Sequence, residues 1–365
     1  MNRPNEPKKI RVGVIGASPN WGWAIHAHMP ALAALPQYEV TAVSTTRKES
    51  AEETAKRFGV AHAFDDANLL VKHPEVDLVV VSVKAPLHAP LVRAAVEARK
   101  HVFCEWPLGV SLGETSELAA AADTAGVKTV IGLQRRFAPG VLYLRDLVAE
   151  SYVGKVRSVA VRVGFPGLGA SRPAQYAYTA DEKNGVGALA TVAAHFLDIV
   201  VAALGDISTV SSVVARQFDD TTLIGTEEKI PVTAPDQVVI AGTLANGGVL
   251  SAHFEVGKRN GPIIECSITG SEGDLVLGAD LTLKGARGEG QPLEPLAIPA
   301  RYHWVEKGNL SDDAHQTAHL YAAFAEDLAE GTSLAPTFRD ATSLHKLLAA
   351  IASSSTSGTR QNWAA

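Results

Sequence analysis

Between Ile10 and Leu133, hydrophobic and polar positions repeat in one pattern: a short apolar run, then a longer stretch with apolar residues at helical spacing. Runs that are apolar at every position are typical of strands buried on both faces, and the stretches between them of amphipathic helices. The predicted strands are residues 11–15, 40–43, 77–83, 102–104 and 128–131. The predicted helices span residues 48–58 and 88–98 and begin near Ala24 and at Leu112. This alternation predicts an α/β domain with a doubly wound parallel sheet of the Rossmann type.

After Gln134 the pattern changes to longer strands with alternating burial. These are predicted at residues 155–164, 210–218, 238–244, 249–256 and 263–269, and helices at 141–150, 313–330 and 338–353. Asn246-Gly247-Gly248 is typical of a hairpin turn and favours a mostly antiparallel sheet. We therefore expect a polar, disordered lead-in at residues 1–9, a dinucleotide-binding domain at 10–133, and an α+β domain for substrate binding and oligomerisation at 134–365.

Composition and charge argue against several kinds of partner and site. The 365 residues include 39 acidic and 33 basic side chains, with a net charge of -6 and no long basic run, so nucleic acid is not an expected partner. The two cysteines, Cys104 and Cys266, lie in apolar strands and read as buried thiols of a reducing, cytoplasmic compartment. No metal site is expected. The apolar run 186–204 contains His195 and Asp198, which favours a buried helix over a membrane span.

The first strand leads into Gly16-Ala17-Ser18-Pro19-Asn20-Trp21-Gly22, where a Rossmann fold has its phosphate-binding turn. Gly16, Ser18 and Gly22 are the candidate pyrophosphate residues, because a backbone without side chains can approach the phosphates closely. Ser18 stands where a second glycine is usual, and one extra residue precedes Gly22. The motif alone is therefore also compatible with a tight strand-to-helix turn.

The second strand ends in Ser44-Thr45-Thr46-Arg47, without the carboxylate that binds the adenosine ribose of NAD. Hydroxyls and an arginine suit a 2'-phosphate, so the sequence favours NADP over NAD. The alternative is a solvated loop in which Thr46 is the N-cap of the next helix.

Five segments together resemble one family: VGVIG at 12–16, KHVFCEWPL at 100–108, LQRRFAP at 133–139, GVGALATVAAHFLDIV at 185–200 and ITGSEGDLVL at 268–277. In order and spacing they are similar to the glucose-fructose oxidoreductase and inositol dehydrogenase (Gfo/Idh/MocA) family over nearly the whole chain. Within it, three departures resemble the branch that contains the fungal galactose-regulon repressor. These are the Gly-x-Ser-x-x-x-Gly turn, Glu-Trp for the usual Glu-Lys, and Thr191 for the usual aspartate.

The resemblance implies roles for named residues. Gly16, Ser18 and Gly22 would line the pyrophosphate, and Ser44 and Arg47 would flank the adenosine ribose. Glu105 would lie near the nicotinamide ribose, with Trp106 and Pro107 shaping the pocket floor. His195 would be the active-site histidine, one helical turn after Thr191.

Oxidation of an alcohol requires a base within hydrogen-bond reach of the hydroxyl, and the indole of Trp106 cannot serve. His195 and Lys84 are the candidate bases, although His195 could be a packed helix residue and Lys84 an exposed loop residue. Tyr176 and Tyr178, in the loop 171–184, are candidate sugar contacts. Arg136, with Arg135, Arg162 and Arg172, could hold an anionic sugar or instead brace the domain junction.

These observations predict an NADP- or NAD-dependent oxidoreductase that acts on a sugar or sugar-like polyol. Two alternatives stay open. One is a redox-neutral glycosidase that oxidises its substrate transiently and eliminates a leaving group, with an anionic uronic or sulfonated sugar among its candidate substrates. The other is a non-catalytic regulator that binds the cofactor. The resemblance also implies a homodimer or homotetramer built through the second domain's sheet.

Overall fold

The structure, a computed structural model, describes residues 9–363. The expected lead-in therefore lies, apart from Lys9, outside the described residues. The chain divides into two compact units: residues up to 137 together with 303–342, and residues 138–302 together with those from 343 onward. Each unit has its own sheet.

Unit one contains a six-stranded sheet in which every pair of neighbouring strands is parallel. Its strands are β1 (Ile10–Ile15), β2 (Tyr38–Ser44), β3 (His62–Phe64), β4 (Leu78–Val81), β5 (His101–Glu105) and β6 (Thr129–Gly132). The order β3-β2-β1-β4-β5-β6 is that of the dinucleotide-binding Rossmann fold, which confirms the predicted fold class for this half. The fully buried β4 shows why: Leu78, Val79, Val80 and Val81 have no exposed surface.

Helices connect these strands, and their ends follow the sequence signals. They are a π-helical turn (Ala24–His28), α1 (Met29–Ala33), α2 (Lys48–Phe58), α3 (Ala67–Lys72), α4 (His88–Glu97), α5 (Leu112–Ala125) and a 3₁₀ turn (Gln134–Phe137). At the start of α5 the hydroxyl of Ser111 accepts from the amide of Glu114, and the helix ends at Gly126 in the left-handed conformation. Serine before a helix and glycine after it satisfy backbone groups that the helix leaves unpaired.

Unit two contains a nine-stranded sheet and a smaller three-stranded one. The strands are β7 (Val156–Phe165), β8 (Ser171–Pro173), β9 (Ile207–Ala215), β10 (Asp220–Ile224), β11 (Lys229–Pro231), β12 (Gln237–Leu244), β13 (Val249–Val256), β14 (Ile263–Gly270), β15 (Gly273–Leu277), β16 (Leu283–Arg287), β17 (Glu294–Leu296) and β18 (Gln361–Asn362). The large sheet is antiparallel except where β7 pairs with β13, which confirms the predicted mostly antiparallel sheet.

The remaining helices are α6 (Pro139–Ala149), a π-helical turn (Ala188–Ala193), α7 (Ala194–Leu204), α8 (Asp312–Glu330) and α9 (Phe338–Ser357). Residues 303–342, expected from the sequence in the second domain, belong to unit one in the structure. The physical reason is the apolar face of α8, which lies against α1 and the 3₁₀ turn Gln134–Phe137 and brings Tyr321 within 4.9 Å of the ring centroid of Phe103.

Among the described residues, the stretch Glu182–Leu204 is by length and apolar content alone long enough to cross a membrane. Its most apolar window is 61% buried within the structure. A core helix of a folded domain has the same properties.

Candidate functional site

Gly16, at the carboxyl end of β1, has a backbone conformation that suits glycine. Its φ is +93°, and a Cβ there would lie 2.1 Å from the carbonyl oxygen of Ser82, which follows β4. Ligands of open α/β sheets bind at the carboxyl ends of the strands, where the strand order reverses; here that point lies between β1 and β4. The turn predicted from the sequence therefore lies at the expected edge, and two strands approach each other closely there.

The glycine-rich turn is fixed to its neighbours by hydrogen bonds that the sequence analysis missed. The amides of Gly16 and Ala17 donate to the carbonyl of Ser44 at 2.9 and 3.3 Å. From α2, the hydroxyl of Thr54 donates to the carbonyl of Ala17 at 2.7 Å. In the same way Arg57 Nη1 donates to the carbonyl of Pro19 at 2.7 Å. A turn held from both sides is pre-organised for a ligand.

A cleft of about 430 Å³ borders this turn within unit one. It is lined by Asn20, Trp21, Gly22, Ile25, His26, Pro30, Asn309, Leu310, Ser311 and Ala314. His26 Nε2 lies 3.1 Å from a carboxylate oxygen of Asp313. The first turn of the 19-residue helix α8 opens toward the cleft, and helix N-termini favour anionic groups.

At the end of β2, Ser44 is buried and Arg47 is exposed. Arg47, not Thr46, is the N-cap residue of α2, so the proposed capping role of Thr46 is wrong. The reason is that Thr45 takes over the local hydrogen bonds: its hydroxyl donates to the carbonyl of Arg47 and contacts the hydroxyl of Ser50. Within residues 9–363 the Arg47 guanidinium has no hydrogen bond or ion pair, which leaves it able to meet a phosphate.

Glu105, the last residue of β5, is held in place by a buried set of side chains. His28 Nε2 lies 3.0 Å from Glu105 Oε1, in ion-pair range but outside hydrogen-bond alignment, and His28 Nδ1 lies 2.8 Å from the hydroxyl of Tyr321. If the phenol donates to Nδ1, the Nε2–H faces the carboxylate. On its other side, Glu105 rests on Gly132, where a Cβ would lie 2.7 Å from Oε1.

Trp106 is 7% exposed, and its peptide bond to Pro107 is cis. The buried His88 links the loops after β4 and β5: Nδ1 lies 2.7 Å from the carbonyl of Pro107 and Nε2 3.0 Å from that of Val83. Burial lowers the pKa of His88, so the ring is neutral near pH 7 and donates to one carbonyl at a time. Lys84, one of the two candidate bases, is exposed at this edge.

Two further groups at the carboxyl edge bear on whether a dinucleotide fits. Ser82 Oγ and Gln134 Oε1 are buried and have no hydrogen-bond partner among the described residues. Buried polar atoms are normally paired, with protein, water or ligand. Together with the close approach at Gly16 and the positively charged Arg47, these atoms fit a ligand rich in hydroxyl and phosphate groups.

In unit two, His195 is half-buried in the first turn of α7. Thr191 precedes it by one turn, in the π-helical turn that contacts β12 and β13. The hydroxyl of Thr191 donates to the carbonyl of Gly187 at 2.6 Å, so its proton is used within the helix. Thr191 and His195 have the predicted one-turn spacing, but the threonine hydroxyl does not supply an acidic group at its position.

The predicted covering loop is more ordered than expected, because residues 171–184 form β8 and two 3₁₀ turns. Tyr176 is 40% exposed and Tyr178 is half-buried; burial, and then the neighbouring Tyr176, raise the pKa of Tyr178. The loop is held by the buried Arg172, which donates to the hydroxyls of Thr179 and Thr221.

The four arginines considered as an anion clamp therefore have different surroundings. Arg172 donates only to neutral groups inside the fold, and Arg162 is exposed on β7. Arg135 and Arg136 are half-buried after β6, and Arg136 lines a cleft of about 670 Å³ with the connector between α8 and α9. Arg162 and Arg172 do not form a clamp, because one is at the surface and the other is enclosed.

Comparison with known proteins assigns both units. The oxidoreductase family with an NAD-binding Rossmann fold, Gfo/Idh/MocA, matches residues 10–133, and the C-terminal domain of Gal80p matches residues 139–279. The galactose/lactose metabolism regulatory protein GAL80 of Saccharomyces cerevisiae is 29% identical over 291 residues, 74% of this chain and 67% of that protein. The dehydrogenase aclE of Aspergillus oryzae is 30% identical over 283 residues, 73% of this chain and 76% of its own.

A levoglucosan dehydrogenase from Pseudarthrobacter phenanthrenivorans is 26% identical over 294 residues, 74% of this chain and 73% of that enzyme. Among solved structures, a super-repressor mutant of Gal80p from Saccharomyces cerevisiae has a TM-score of 0.87 at 25% identity, with 97% of each chain covered. Residues 10–133 match that family's NAD-binding Rossmann fold, and the chain belongs to the Gfo/Idh/MocA oxidoreductase family, which includes both sugar dehydrogenases and the GAL80 regulators.

Proposed function

We propose that this protein is a nicotinamide-dependent oxidoreductase that acts on a sugar or sugar-like polyol. The observation that carries the proposal is the carboxyl edge of the unit-one sheet, where a fixed carboxylate lies near two buried polar atoms that have no hydrogen-bond partner among the described residues. Pre-organised polar groups of this kind favour a bound cofactor over a merely structural turn. The levoglucosan dehydrogenase relative supports a carbohydrate substrate.

A nicotinamide ring accepts a hydride from the alcohol carbon, and the protein must take the hydroxyl proton. Trp106 cannot take it. Of the two candidate bases, His195 is favoured because it is half-buried on a rigid helix, whereas Lys84 is exposed on a loop. Tyr176 and Tyr178 would contact the sugar through their rings and hydroxyls, and Glu105 would accept from ribose hydroxyls. Arg136 would contact substrate only if the substrate reaches the turn after β6.

NADP is the proposed cofactor form. The exposed Arg47 and the hydroxyl of Ser44 lie at the end of β2, where the cofactor's adenosine ribose binds in this fold. A guanidinium with no acidic partner among the described residues would gain a charge-assisted hydrogen bond with a 2'-phosphate. NAD would lack that contact.

A second candidate function is supported by two specific observations. Trp106 is packed into the fold at the position of the family lysine, and the Thr191 hydroxyl is committed to Gly187. As a result, neither position supplies a group that can transfer a proton to or from a substrate. In addition, GAL80, a regulatory protein, is among the relatives. On this reading the protein binds its cofactor and a protein partner without turning over a sugar.

The experiment is single-turnover cofactor reduction across a panel of sugars and glycosides with wild type, His195→Ala and, as a control, His303→Ala, an exposed histidine outside the site. We expect His195→Ala to lower the rate by about 10² or more while cofactor affinity changes only a few fold, and His303→Ala to behave as wild type. Glycoside cleavage without net reduction would identify the redox-neutral reaction. Tight cofactor binding with no turnover in wild type would favour the regulator.

We also propose a homodimer or homotetramer built through the open face of the large sheet. Val213 on β9 pairs with Val239 on β12, and both are exposed, at 59% and 45%; Val249 on β13 is 56% exposed. Large apolar side chains exposed on a broad sheet are typical of an interface. Light scattering should give a multiple of 38.4 kDa that falls to the monomer mass in Val239→Lys. A monomeric wild type at micromolar concentration would contradict this proposal.

A further inference from the structure

Three potential metal ligands lie together in unit one, at the opposite end of the strands from the proposed cofactor edge. They are His62 at the start of β3, and His73 and Glu75 in the loop before β4. One ligand atom of each lies within 4.8 Å of those of the other two. This group corrects the expectation of no metal site; its two histidines are eleven positions apart in the sequence and lie in different segments of the fold.

The contacts within the group are close. His62 Nε2 is 2.6 Å from Glu75 Oε2, and the rings of His62 and His73 have centroids 4.1 Å apart, tilted by 45°. Phe64 packs its ring against both imidazoles, with centroids at 6.4 and 5.6 Å. An apolar side chain that packs against metal-binding residues limits both the movement of those residues and the access of water to them.

The backbone that carries these ligands is fixed independently of them. The carbonyl of Glu75 accepts from the hydroxyl of Thr41 on β2 at 2.6 Å, and His62 pairs with Ala42, the next residue of that strand. Lys100 Nζ also donates to the carbonyl of His73 at 3.0 Å. The two segments are thus attached to adjacent positions of one buried strand, which pre-organises the three side chains.

We propose that His62, His73 and Glu75 form a zinc site that cross-links the edge strand β3 to the loop before β4. Two imidazole nitrogens and one carboxylate oxygen, with a fourth position open to solvent, are a donor set that suits Zn²⁺. In tetrahedral coordination at about 2.0–2.1 Å the ligand atoms are about 3.3 Å apart. The closest pair must therefore separate and the farthest approach, which the side-chain torsions of the partly exposed His62 and Glu75 allow.

Metal binding would rearrange protons in a defined way. In the structure His62 Nε2–H faces Glu75, and His73 Nδ1 accepts from the Glu75 amide at 3.3 Å. As a zinc ligand, His62 Nε2 presents its lone pair and the ring proton moves to Nδ1. His73 binds through Nδ1, or through Nε2 after the same tautomer change, and in either case gives up the long contact with the Glu75 amide. No redox step or further reactant is involved.

The test uses full-length protein without a histidine tag, freed of metal with a chelator, and titrates Zn²⁺ by calorimetry in competition with a chromophoric chelator. We expect one equivalent to bind wild type, and Glu75→Gln and His62→Asn each to bind at least about tenfold more weakly. The exposed His303→Asn, outside the cluster, should bind as wild type does. At the same zinc concentration, zinc should also raise the melting temperature of wild type by more than that of Glu75→Gln.

Glu75 is 54% exposed, so Glu75→Gln should fold normally and decides the matter even if His62→Asn does not fold. The proposal is overturned if wild type shows no saturable zinc binding, or if Glu75→Gln binds zinc as tightly as wild type. Equal weakening in the His303→Asn control would also overturn it, because that result would indicate scattered surface histidines as the source of binding.

Discussion

Replacement of Gly132 by alanine tests how Glu105 is held. The new Cβ would lie 2.7 Å from Glu105 Oε1 and 2.8 Å from both Cδ and Oε2, whereas ordinary contacts begin at 3.4 Å. The carboxylate must therefore move by about 0.7 Å, and it cannot move toward His28 Nε2, which is already only 3.0 Å away. Overpacking of this kind costs about 1–3 kcal/mol, and disturbing the buried pair with His28 favours the upper end.

Two measurements check this prediction. Thermal unfolding should show a lower melting temperature for Gly132→Ala, and calorimetry should show weaker cofactor binding by about 10-fold or more, since a hydrogen bond to a charged group is worth about 1.5–3 kcal/mol. The control is Gly113→Ala in the first turn of α5, where the nearest atom to a new Cβ is 3.9 Å away. Alanine there should be neutral or stabilising by up to about 1 kcal/mol.

If Gly132→Ala melts and binds cofactor as wild type does, Glu105 is not confined by its surroundings and the prediction is wrong. A less stable variant with unchanged cofactor affinity would keep the packing argument and remove Glu105 from the cofactor site.

Three further predictions concern other parts of the molecule. Arg47→Ala should weaken NADP by about 1.5–3 kcal/mol and NAD hardly at all in calorimetry; equal losses would contradict a 2'-phosphate contact. Thr54→Val removes the hydroxyl that holds the carbonyl of Ala17 and should destabilise the protein by about 1–3 kcal/mol in denaturant titrations, while no change would show that water replaces it. Burial lowers the pKa of His345 from 6.5 to about 4, so stability is complete above pH 6.5 and falls as the pH drops toward 4. At pH 5, which is 1.5 pH units below 6.5, this histidine lowers the free energy of unfolding by about 2 kcal/mol, since each pH unit contributes about 1.36 kcal/mol. In denaturant titrations, His345→Gln should therefore lose less stability than wild type between pH 7 and pH 5.

The parts of the fold that could be predicted are those with a local cause. The helix at Lys48–Phe58 and the buried β4 follow from spacing and from a continuous apolar run, which are properties of neighbouring residues. The edge strand β3 was missed because its three residues, His62–Phe64, are half-buried and have no apolar run. The small sheet of unit two was missed for a similar reason, since two of its strands have only three residues.

In the candidate site, too, the features with a local cause could be predicted and those that depend on tertiary contacts could not. The turn at Gly16 and the one-turn spacing of Thr191 and His195 are local, and the structure contains both. The contact between His28 and Tyr321 joins residues 293 positions apart, and no spacing in the sequence indicates it. The sequence could not show that Arg172 takes no part in an anion clamp, because a guanidinium's partners depend on tertiary packing, and Arg172 donates to hydroxyls of its own sheet and loop.

The close approach of Gly16 to the carbonyl of Ser82 separates ancestry from present activity. A descendant that stopped binding dinucleotides would still have to keep this glycine, because any side chain would collide with the carbonyl of Ser82 whether or not a cofactor is there. At Gly22 a Cβ would meet nothing closer than 3.9 Å, so only its backbone angle of +113° restrains that position. In a family that contains both enzymes and regulators, the first glycine of the motif records inheritance of the fold, and retained ligand binding has to be judged from other positions.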